Sequence, residues 1–165
     1  MSLVYQLFLR KFLFSLEPEV AHDITCFLLS KGERSILLRK FLTRLTRTKG
    51  KSIRLFGLSF PNCIGLAAGL DKNGQFSGLS SSLGFGHVEV GTVTPLAQPG
   101  NPKPRLFRYE KEEALVNRMG FNNQGANALV KRLRLTNPKG TRLSPVGINI
   151  GTVSYTHLTL PTIVR

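Results

Sequence analysis

Residues that could bind a small polar ligand lie in two stretches of the chain. The first ends in Asp71 and Lys72, which directly follow an uncharged run that begins at Cys63. The second is the segment 117–125, which contains three Asn and two Gly residues. Asn presents a hydrogen-bond donor and an acceptor together, and Gly leaves its backbone N–H open to a ligand. We therefore expect the segment 117–125 to be a recognition loop.

The uncharged run Cys63–Leu70 predicts a strand buried on both faces of a parallel sheet, because it is apolar and is closed by turn residues. Its interior residues are unusually small: Gly65, Ala67, Ala68 and Gly69. Small residues in a strand often mark a place where a ligand or another backbone comes close. Asp71 and Lys72 would then lie just past the carboxyl end, where parallel α/β folds place their chemistry. The alternative is a packed core strand whose charged pair only marks the surface.

The neighbouring elements predict an α/β fold. A helix over 73–83 and a strand over 87–94 would complete a βαβ unit with parallel strands and a right-handed crossover. The remaining predicted elements are a hairpin in 52–60, a hairpin over 105–119, a helix over 126–135 and a strand over 145–151. In the alternative to a recognition loop, Asn122 or Asn123 caps the helix that begins at Ala126.

Three polar residues lie inside the predicted strands. We expect His87 and Glu89 to form a satisfied structural pair rather than a catalytic one. A buried Asn must be paired. Asn149 therefore bonds either to backbone groups or to a ligand at the strand end.

The first part of the chain has a different character. Apolar residues recur at helical spacing in three pieces, with basic residues between them, and Glu17-Pro18 predicts a helix start. No run reaches the roughly 18 apolar residues of a spanning helix. Short basic amphipathic helices suit a protein that lies on a membrane surface. The alternative is a helical cap packed on a soluble domain, followed by a basic linker at 47–51.

Composition limits the classes of partner. The 165 residues carry a formal net charge of +14, which attracts nucleic acid or anionic lipid. The two cysteines, Cys26 and Cys63, lie far apart without metal-ligand spacing. We expect both to be buried reduced thiols rather than a disulfide.

Six motifs occur in an order that identifies a family: Gly65–Lys72, Gly84–Gly86, Glu89–Pro95, Pro99–Arg108, Asn117–Asn123 and Gly147–Gly151. Over about residues 5–151 they resemble dihydroorotate dehydrogenase. Several long motifs in order are far more specific than one short motif. The helical extension, with Glu-Pro-Glu-Val-Ala-His at 17–22, looks like that of the membrane-associated, quinone-dependent class.

The resemblance implies a TIM (β/α)8 barrel that binds flavin mononucleotide (FMN), of which the chain contains about the first three strands. Residues 1–46 would form the helical extension, 47–152 the first part of the barrel, and 153–165 a non-native tail. The implied cofactor contacts are Ala68, Gly69, Leu70, Asp71, Lys72, Thr92 and Asn149. The implied substrate contacts are Lys72, Asn117, Arg118, Met119, Gly120 and Phe121. No metal is expected.

The implied reaction oxidises dihydroorotate to orotate in de novo pyrimidine (UMP) biosynthesis. A base removes a proton from C5 while hydride passes from C6 to the flavin, and the electrons then go to ubiquinone or menaquinone. The quinone would enter between the N-terminal helices. The implied location is the cytoplasmic face of a bacterial inner membrane, or the mitochondrial inner membrane in a eukaryote, and the complete protein would be a monomer.

The chain departs from the family pattern in length. A barrel of this type needs eight strands and about 250 residues, whereas three strands are predicted here. The base, expected as a serine, would lie in a segment downstream of Asn149, so the catalytic residue is unknown and the chain alone is expected to be inactive. Ser154 is not assigned to this role.

Two other functions are weighed against this one. One is a soluble FMN barrel that uses fumarate or NAD, against which the helical extension and the Asn-Arg-Met-Gly-Phe loop count. The other is a basic module that binds membrane or nucleic acid, which only the net charge supports. Nucleic acid is not an expected partner, since the basic residues are scattered and no binding motif occurs.

The last residues have an unusual composition. Val153–Thr162 resembles a translated transposon-end sequencing adaptor. We hypothesise that the reading frame ran off a DNA fragment, in which case His157 is neither a ligand nor a base. Resequencing the source locus tests this hypothesis, and a genuine stop codon directly after Arg165 would contradict it.

Overall fold

The computed structural model describes residues 8–46, 51–138 and 140–151. Its helices and strands, in chain order, are α1 (Arg10–Ser15), α2 (Pro18–Glu33), α3 (Ile36–Leu45), β1 (Ile53–Leu55), β2 (Leu58–Phe60), β3 (Gly65–Leu66), α4 (Ser77–Ser82), β4 (His87–Val93), β5 (Leu106–Tyr109), β6 (Ala114–Asn117), α5 (Ala126–Thr136) and β7 (Val146–Ile150). The described residues leave out 1–7 of the extension, 47–50 of the predicted linker 47–51, and the predicted tail 153–165.

The extension contains the three predicted helices. The Glu17 carboxylate accepts the Val20 N–H at 3.0 Å, which caps α2 at the predicted Glu-Pro start. The Ser35 hydroxyl accepts the Leu38 N–H at 3.2 Å and starts α3 in the same way. Within the described ranges, each helix is too short or too polar to cross a bilayer.

The strands form an α/β arrangement. β3, β4 and β7 make a parallel sheet in the order β3-β4-β7, which confirms the predicted βαβ unit and the predicted third strand. The two predicted hairpins are also present, as β1 paired with β2 and β5 paired with β6. The α/β class is therefore confirmed, while closure into an eight-stranded barrel goes beyond these strands.

The strand predicted over Cys63–Leu70 is much shorter than expected. Only Gly65 and Leu66 pair with β4, and both are half-buried, so burial on both faces is also wrong. The chain beyond Leu66 turns instead of continuing, with φ of +115° at Gly69 and +65° at Gly74. Glycine tolerates these values at little cost. The following helix accordingly begins only at Ser77 rather than at residue 73.

Two apolar clusters hold the layers together. Leu129 and Leu133 of α5 pack on Val88, Val90 and Val93 of β4. Cys26 of α2 packs on Phe76 and Leu79 at α4. The second cluster joins the helical extension to the sheet-bearing part of the chain, so the two parts share a core.

The cysteine prediction is half right. Both thiols are free, and Cys26 is buried as expected. Cys63 is exposed, because it lies in the turn before β3 rather than inside a strand.

The expected His87–Glu89 pair is wrong. The buried Nδ1 atom of His87 has no hydrogen-bond partner among the described residues, and its ring packs edge-on against Phe60 at 5.9 Å between centroids. Glu89 instead accepts hydrogen bonds from Ala68 and Asn149. The partners of Glu89 are Ala68, which follows β3, and Asn149 of β7, whereas His87 packs on Phe60 of β2.

The His87 ring occupies the space above Gly65. A Cβ added at Gly65 would lie 1.9 Å from the ring Nε2 atom, whereas a Cβ at Gly147 of β7 would have no atom closer than 3.7 Å. We predict that Gly65→Ala lowers the free energy of unfolding of the full-length protein by about 1–3 kcal/mol, the usual cost of overpacking. Urea unfolding measures this, with Gly147→Ala as the control of equal chemistry. Equal stability of the two variants would contradict the prediction.

Candidate functional site

A cleft of about 470 Å³ opens beyond the ends of β3 and β4. Eight of the twelve predicted site residues line it: Gly69, Lys72, Thr92, Asn117, Arg118, Met119, Gly120 and Phe121. These residues come from three separate segments, and the fold brings them to one place. A larger cavity of about 700 Å³ beside α3 contains none of the predicted residues.

Backbone contacts bring the two strand ends together. The Gly69 N–H donates to the Gly91 carbonyl at 2.8 Å, and the Gly91 N–H donates to the Asp71 carbonyl at 3.0 Å. A Cβ at Gly91 would lie 2.5 Å from the Asn149 carbonyl, so only glycine fits there. A Cβ at Gly69 would meet nothing within 4 Å, so the surface over this residue is open to a flat ligand.

A polar chain runs under this surface. The Glu89 carboxylate accepts from the Ala68 N–H at 3.4 Å and from the Asn149 side-chain amide at 3.3 Å. The Thr92 hydroxyl donates to the Asn149 Oδ1 atom at 2.6 Å. An ionised carboxylate only accepts hydrogen bonds. Glu89 therefore turns the NH2 group of Asn149 toward itself and the carbonyl oxygen toward Thr92, whose own lone pairs remain for a ligand.

Lys72 supplies the positive charge of the cleft. Its ammonium group donates to the Asn122 Oδ1 atom at 2.9 Å. Burial lowers the pKa of Lys72 from its usual value, and the nearby Arg105 charge adds to the effect. Among the described residues, this half-buried ammonium group has one neutral acceptor, so N–H donors remain for an anionic ligand.

The recognition loop contacts Lys72 through Asn122 and is held mainly through its backbone. The Arg118 N–H donates to the Arg105 carbonyl at 2.8 Å, and the Asn101 N–H donates to the Met119 carbonyl at 3.0 Å. The Asn101 side-chain amide also donates to the Arg118 carbonyl at 2.7 Å. Asn117 is exposed at the cleft, where its Oδ1 atom accepts the Met119 N–H at 3.4 Å and its NH2 group is available to a ligand.

The other four predicted residues do not line the cleft. Ala68 and Asn149 belong to the polar chain beneath it. Leu70 lines neighbouring cavities. The Asp71 carboxylate is buried, with 1% of the residue surface exposed, and accepts the Gln75 and Phe76 N–H groups at 2.7 and 3.0 Å. That carboxylate shapes the turn before α4 and is not available to a ligand.

The two candidate capping residues have other partners. α5 begins after Gly125 without a side-chain cap, so neither Asn122 nor Asn123 caps it. Asn122 binds Lys72, while the buried Asn123 bonds to Thr94 and to Gly125 and thereby ties the recognition loop to the end of β4. These contacts exclude the capping alternative, while ligand recognition by this segment stays a prediction.

Sequence reasoning missed the cleft residues His22, Asn101 and Leu106. His22 lies in the quoted segment 17–22, but its role depends on how α2 packs against the cleft. No local pattern carries that information. Asn101 lies in the proline-rich motif, where its two bonds to the recognition loop are tertiary contacts.

A second cavity, also of about 470 Å³, lies between the first two helices and the β5–β6 hairpin. Apolar residues of both elements line it, including Leu13, Ala21 and Leu115. His22 and Leu106 line this cavity and the cleft, so the two spaces adjoin. Arg108 stands at the hairpin side, with its guanidinium 4.3 Å from the centre of the Phe14 ring.

Comparison with known proteins identifies similar chains. The sequence model described as dihydroorotate dehydrogenase matches residues 51–157. The chain is 50% identical over 144 residues to the dihydroorotate dehydrogenase (quinone) of Teredinibacter turnerae, covering 87% of this chain and 40% of that protein. It is 47% identical over 145 residues to the protein of the same name from Thermus thermophilus, covering 87% of this chain and 42% of that one.

Solved structures agree with these relatives. The crystal structure of DHODH from Eimeria tenella in complex with ferulenol is similar with a TM-score of 0.71 and 38% identity, over 86% of this chain and 38% of that chain. The ligand-free form from the same organism gives a TM-score of 0.68 and 39% identity, over 85% of this chain and 38% of that chain. The chain therefore spans about two fifths of the length of the relatives that it matches.

Proposed function

The chain belongs to the dihydroorotate dehydrogenase family, and from this premise we propose that the whole protein oxidises dihydroorotate to orotate in pyrimidine biosynthesis. The proposed cofactor is FMN, and the proposed final electron acceptor is a quinone. The observation that carries the proposal is the cleft, in which a lysine, a threonine and an amide-bearing loop from three segments converge. Because the chain spans about 40% of its relatives, we expect these 165 residues alone to be inactive.

The residues at the strand ends fit a flavin ring. The open space over Gly69 admits a flat ring, and Ala68 adds no bulky side chain beside it. Thr92 presents a hydroxyl group that Asn149 and Glu89 orient from beneath the surface. These residues would hold the cofactor, which supplies the hydride chemistry when bound.

The opposite side of the cleft fits the pyrimidine. Lys72 offers an ammonium group to the orotate carboxylate, and Asn117 offers an amide that matches the amide edges of the ring. The backbone of Arg118–Phe121 completes the pocket. These residues bind and orient the substrate, and the base that removes the C5 proton is assigned to a segment after Asn149.

The second cavity fits a quinone. It is largely apolar, it lies between the extension and the β5–β6 hairpin, and it adjoins the cleft at His22. The extension also exposes large apolar side chains beside basic ones, including Phe27, Leu37 and Phe41 near Lys31, Lys40 and Arg44. Such a surface favours binding to an anionic bilayer. We propose ubiquinone or menaquinone as the acceptor and a monomer peripherally bound at the cytoplasmic face of a bacterial inner membrane, or at the mitochondrial inner membrane in a eukaryote.

The direct test is the activity of the full-length protein. We expect dihydroorotate-dependent reduction of a soluble quinone and flotation with anionic lipid vesicles. Reduction of fumarate or NAD instead of quinone, without flotation, would favour the soluble FMN enzyme. Salt-sensitive DNA binding without either activity would favour the basic module.

Lys72 generates a pH-dependent prediction. The ammonium form binds the orotate anion, so affinity falls as pH rises through the pKa of Lys72. Since burial lowers this pKa, the fall begins at a lower pH than for an exposed lysine. Lys72→Gln should weaken orotate binding by about 10–100-fold at neutral pH, the value of a charged hydrogen bond. Calorimetric titration across pH measures both effects.

The matched control for Lys72 is Lys111→Gln, in the exposed turn of the β5–β6 hairpin. This variant should bind orotate as the wild type does. Unchanged orotate affinity in Lys72→Gln would remove Lys72 from the substrate site.

Glu89 generates a prediction about cofactor affinity. In Glu89→Gln an NH2 group replaces one acceptor oxygen, so either Ala68 or Asn149 loses its partner and the Asn149 amide is no longer held in one orientation. We predict about a tenfold increase in the Kd of FMN for the apoprotein. Quenching of FMN fluorescence measures the Kd. The exposed Glu112→Gln is the control, and an FMN affinity equal to that of the control would contradict the role of Glu89.

A further inference from the structure

A buried ion pair connects the helical extension to the substrate side of the cleft. Glu19 of α2 and Arg105, which precedes β5, are 3% and 7% exposed. The Arg105 Nη2 atom donates to the Glu19 carboxylate at 2.7 Å, and its Nε atom adds contacts at 3.1 and 3.2 Å. The Arg105 hydrogen bond keeps the pKa of Glu19 below its usual value, so the carboxylate stays charged at neutral pH.

The same guanidinium also gathers the proline-rich loop. Its Nη1 atom donates to the carbonyls of Pro99 and Asn101 at 2.6 and 2.9 Å. Residues 101–104 of this loop are exposed, so polar contacts hold them in place, among them the Lys103 ammonium group 3.2 Å from the same Glu19 carboxylate. The planar fork of arginine can satisfy a carboxylate on one side and carbonyls on the other, which a lysine cannot do.

The proline-rich loop in turn carries the recognition loop. Asn101 bonds through its backbone and its side chain to Met119 and Arg118, and the Arg105 carbonyl accepts the Arg118 N–H. The Arg118 guanidinium returns to the Pro104 carbonyl at 3.0 Å. Asn117 and Arg118 are exposed, so these hydrogen bonds set the position of the recognition loop.

We infer that Glu19 is a positioning residue of the substrate site, which acts through Arg105 on the recognition loop. The inference rests on the proposed function, because it takes orotate as the ligand of that loop. The extension then does more than reach the membrane. Glu19 and His22 lie on one turn of α2. Glu19 positions the recognition loop through Arg105, and His22 lines the cleft.

The chain offers a close control. Glu33 is a second buried glutamate on α2, 4% exposed, which accepts the Leu79 N–H at 2.5 Å and lies 3.7 Å from Arg39. It joins the same helix to α4 and has no contact with the proline-rich loop in the hydrogen bonds of the described residues. Glu33→Gln therefore perturbs the packing of the extension without acting on the recognition loop.

The experiment compares full-length wild-type protein with Glu19→Gln, Arg105→Lys and Glu33→Gln. We expect the Kd of orotate, measured by calorimetry, to rise about tenfold in Glu19→Gln and in Arg105→Lys and to stay within twofold in Glu33→Gln. FMN affinity should stay within twofold in all of them, and KM for dihydroorotate should rise while kcat is nearly unchanged. If Glu19→Gln does not fold, the Kd of orotate for Arg105→Lys tests the inference in its place.

A merely structural ion pair gives a different result. If Glu19 and Glu33 are both merely structural, the melting temperatures of Glu19→Gln and Glu33→Gln fall alike and orotate affinity is unchanged in both variants. That result would overturn the inference about Glu19 but not the proposed function. Wild-type protein that binds FMN but no orotate would overturn the proposed substrate, and the inference with it.

Discussion

The site depends on the meeting of two strand ends through backbone groups. Gly69 and Gly91 pair at 2.8 Å without side chains between them, which leaves the surface over Gly69 open. Lys72 follows one strand end and Thr92 lies at the other, so the same pairing places an ammonium group and a hydroxyl at one edge of the sheet. A side chain at Gly91 would separate the two ends, since the Asn149 carbonyl already occupies the space.

Three carboxylates complete this arrangement: Asp71 and Glu19, which are buried, and Glu89, which is half-buried. Asp71 shapes the turn that carries Lys72, Glu89 orients Asn149 under the open surface, and Glu19 holds Arg105 behind the recognition loop. The chain has only nine acidic residues against 23 basic ones. Because Glu19, Glu33 and Asp71 are buried, the exposed surface is even more positive than the net charge of +14 indicates. That surface agrees with a place at an anionic bilayer.

Local patterns predicted most of the fold, whereas the resemblance to the family supplied most of the residues that line the cleft. Alternation and helical spacing located both hairpins, α5 and the parallel strands, because these depend on neighbours in the chain. The length of β3 could not be predicted, since the chain turns at Gly69 to meet β4 and an apolar run does not reveal a turn. The roles of Glu19, His22 and Glu89 depend on partners in other segments of the chain. Glu19, for example, is 86 residues from its partner Arg105 in the sequence.

We propose that the cleft holds a flat ring over Gly69 beside a pyrimidine. The absorbance spectrum of the purified full-length protein is the test of this arrangement. We expect a yellow protein with a flavin spectrum that changes when orotate is added. A colourless protein that takes up no FMN when it is supplied would contradict it.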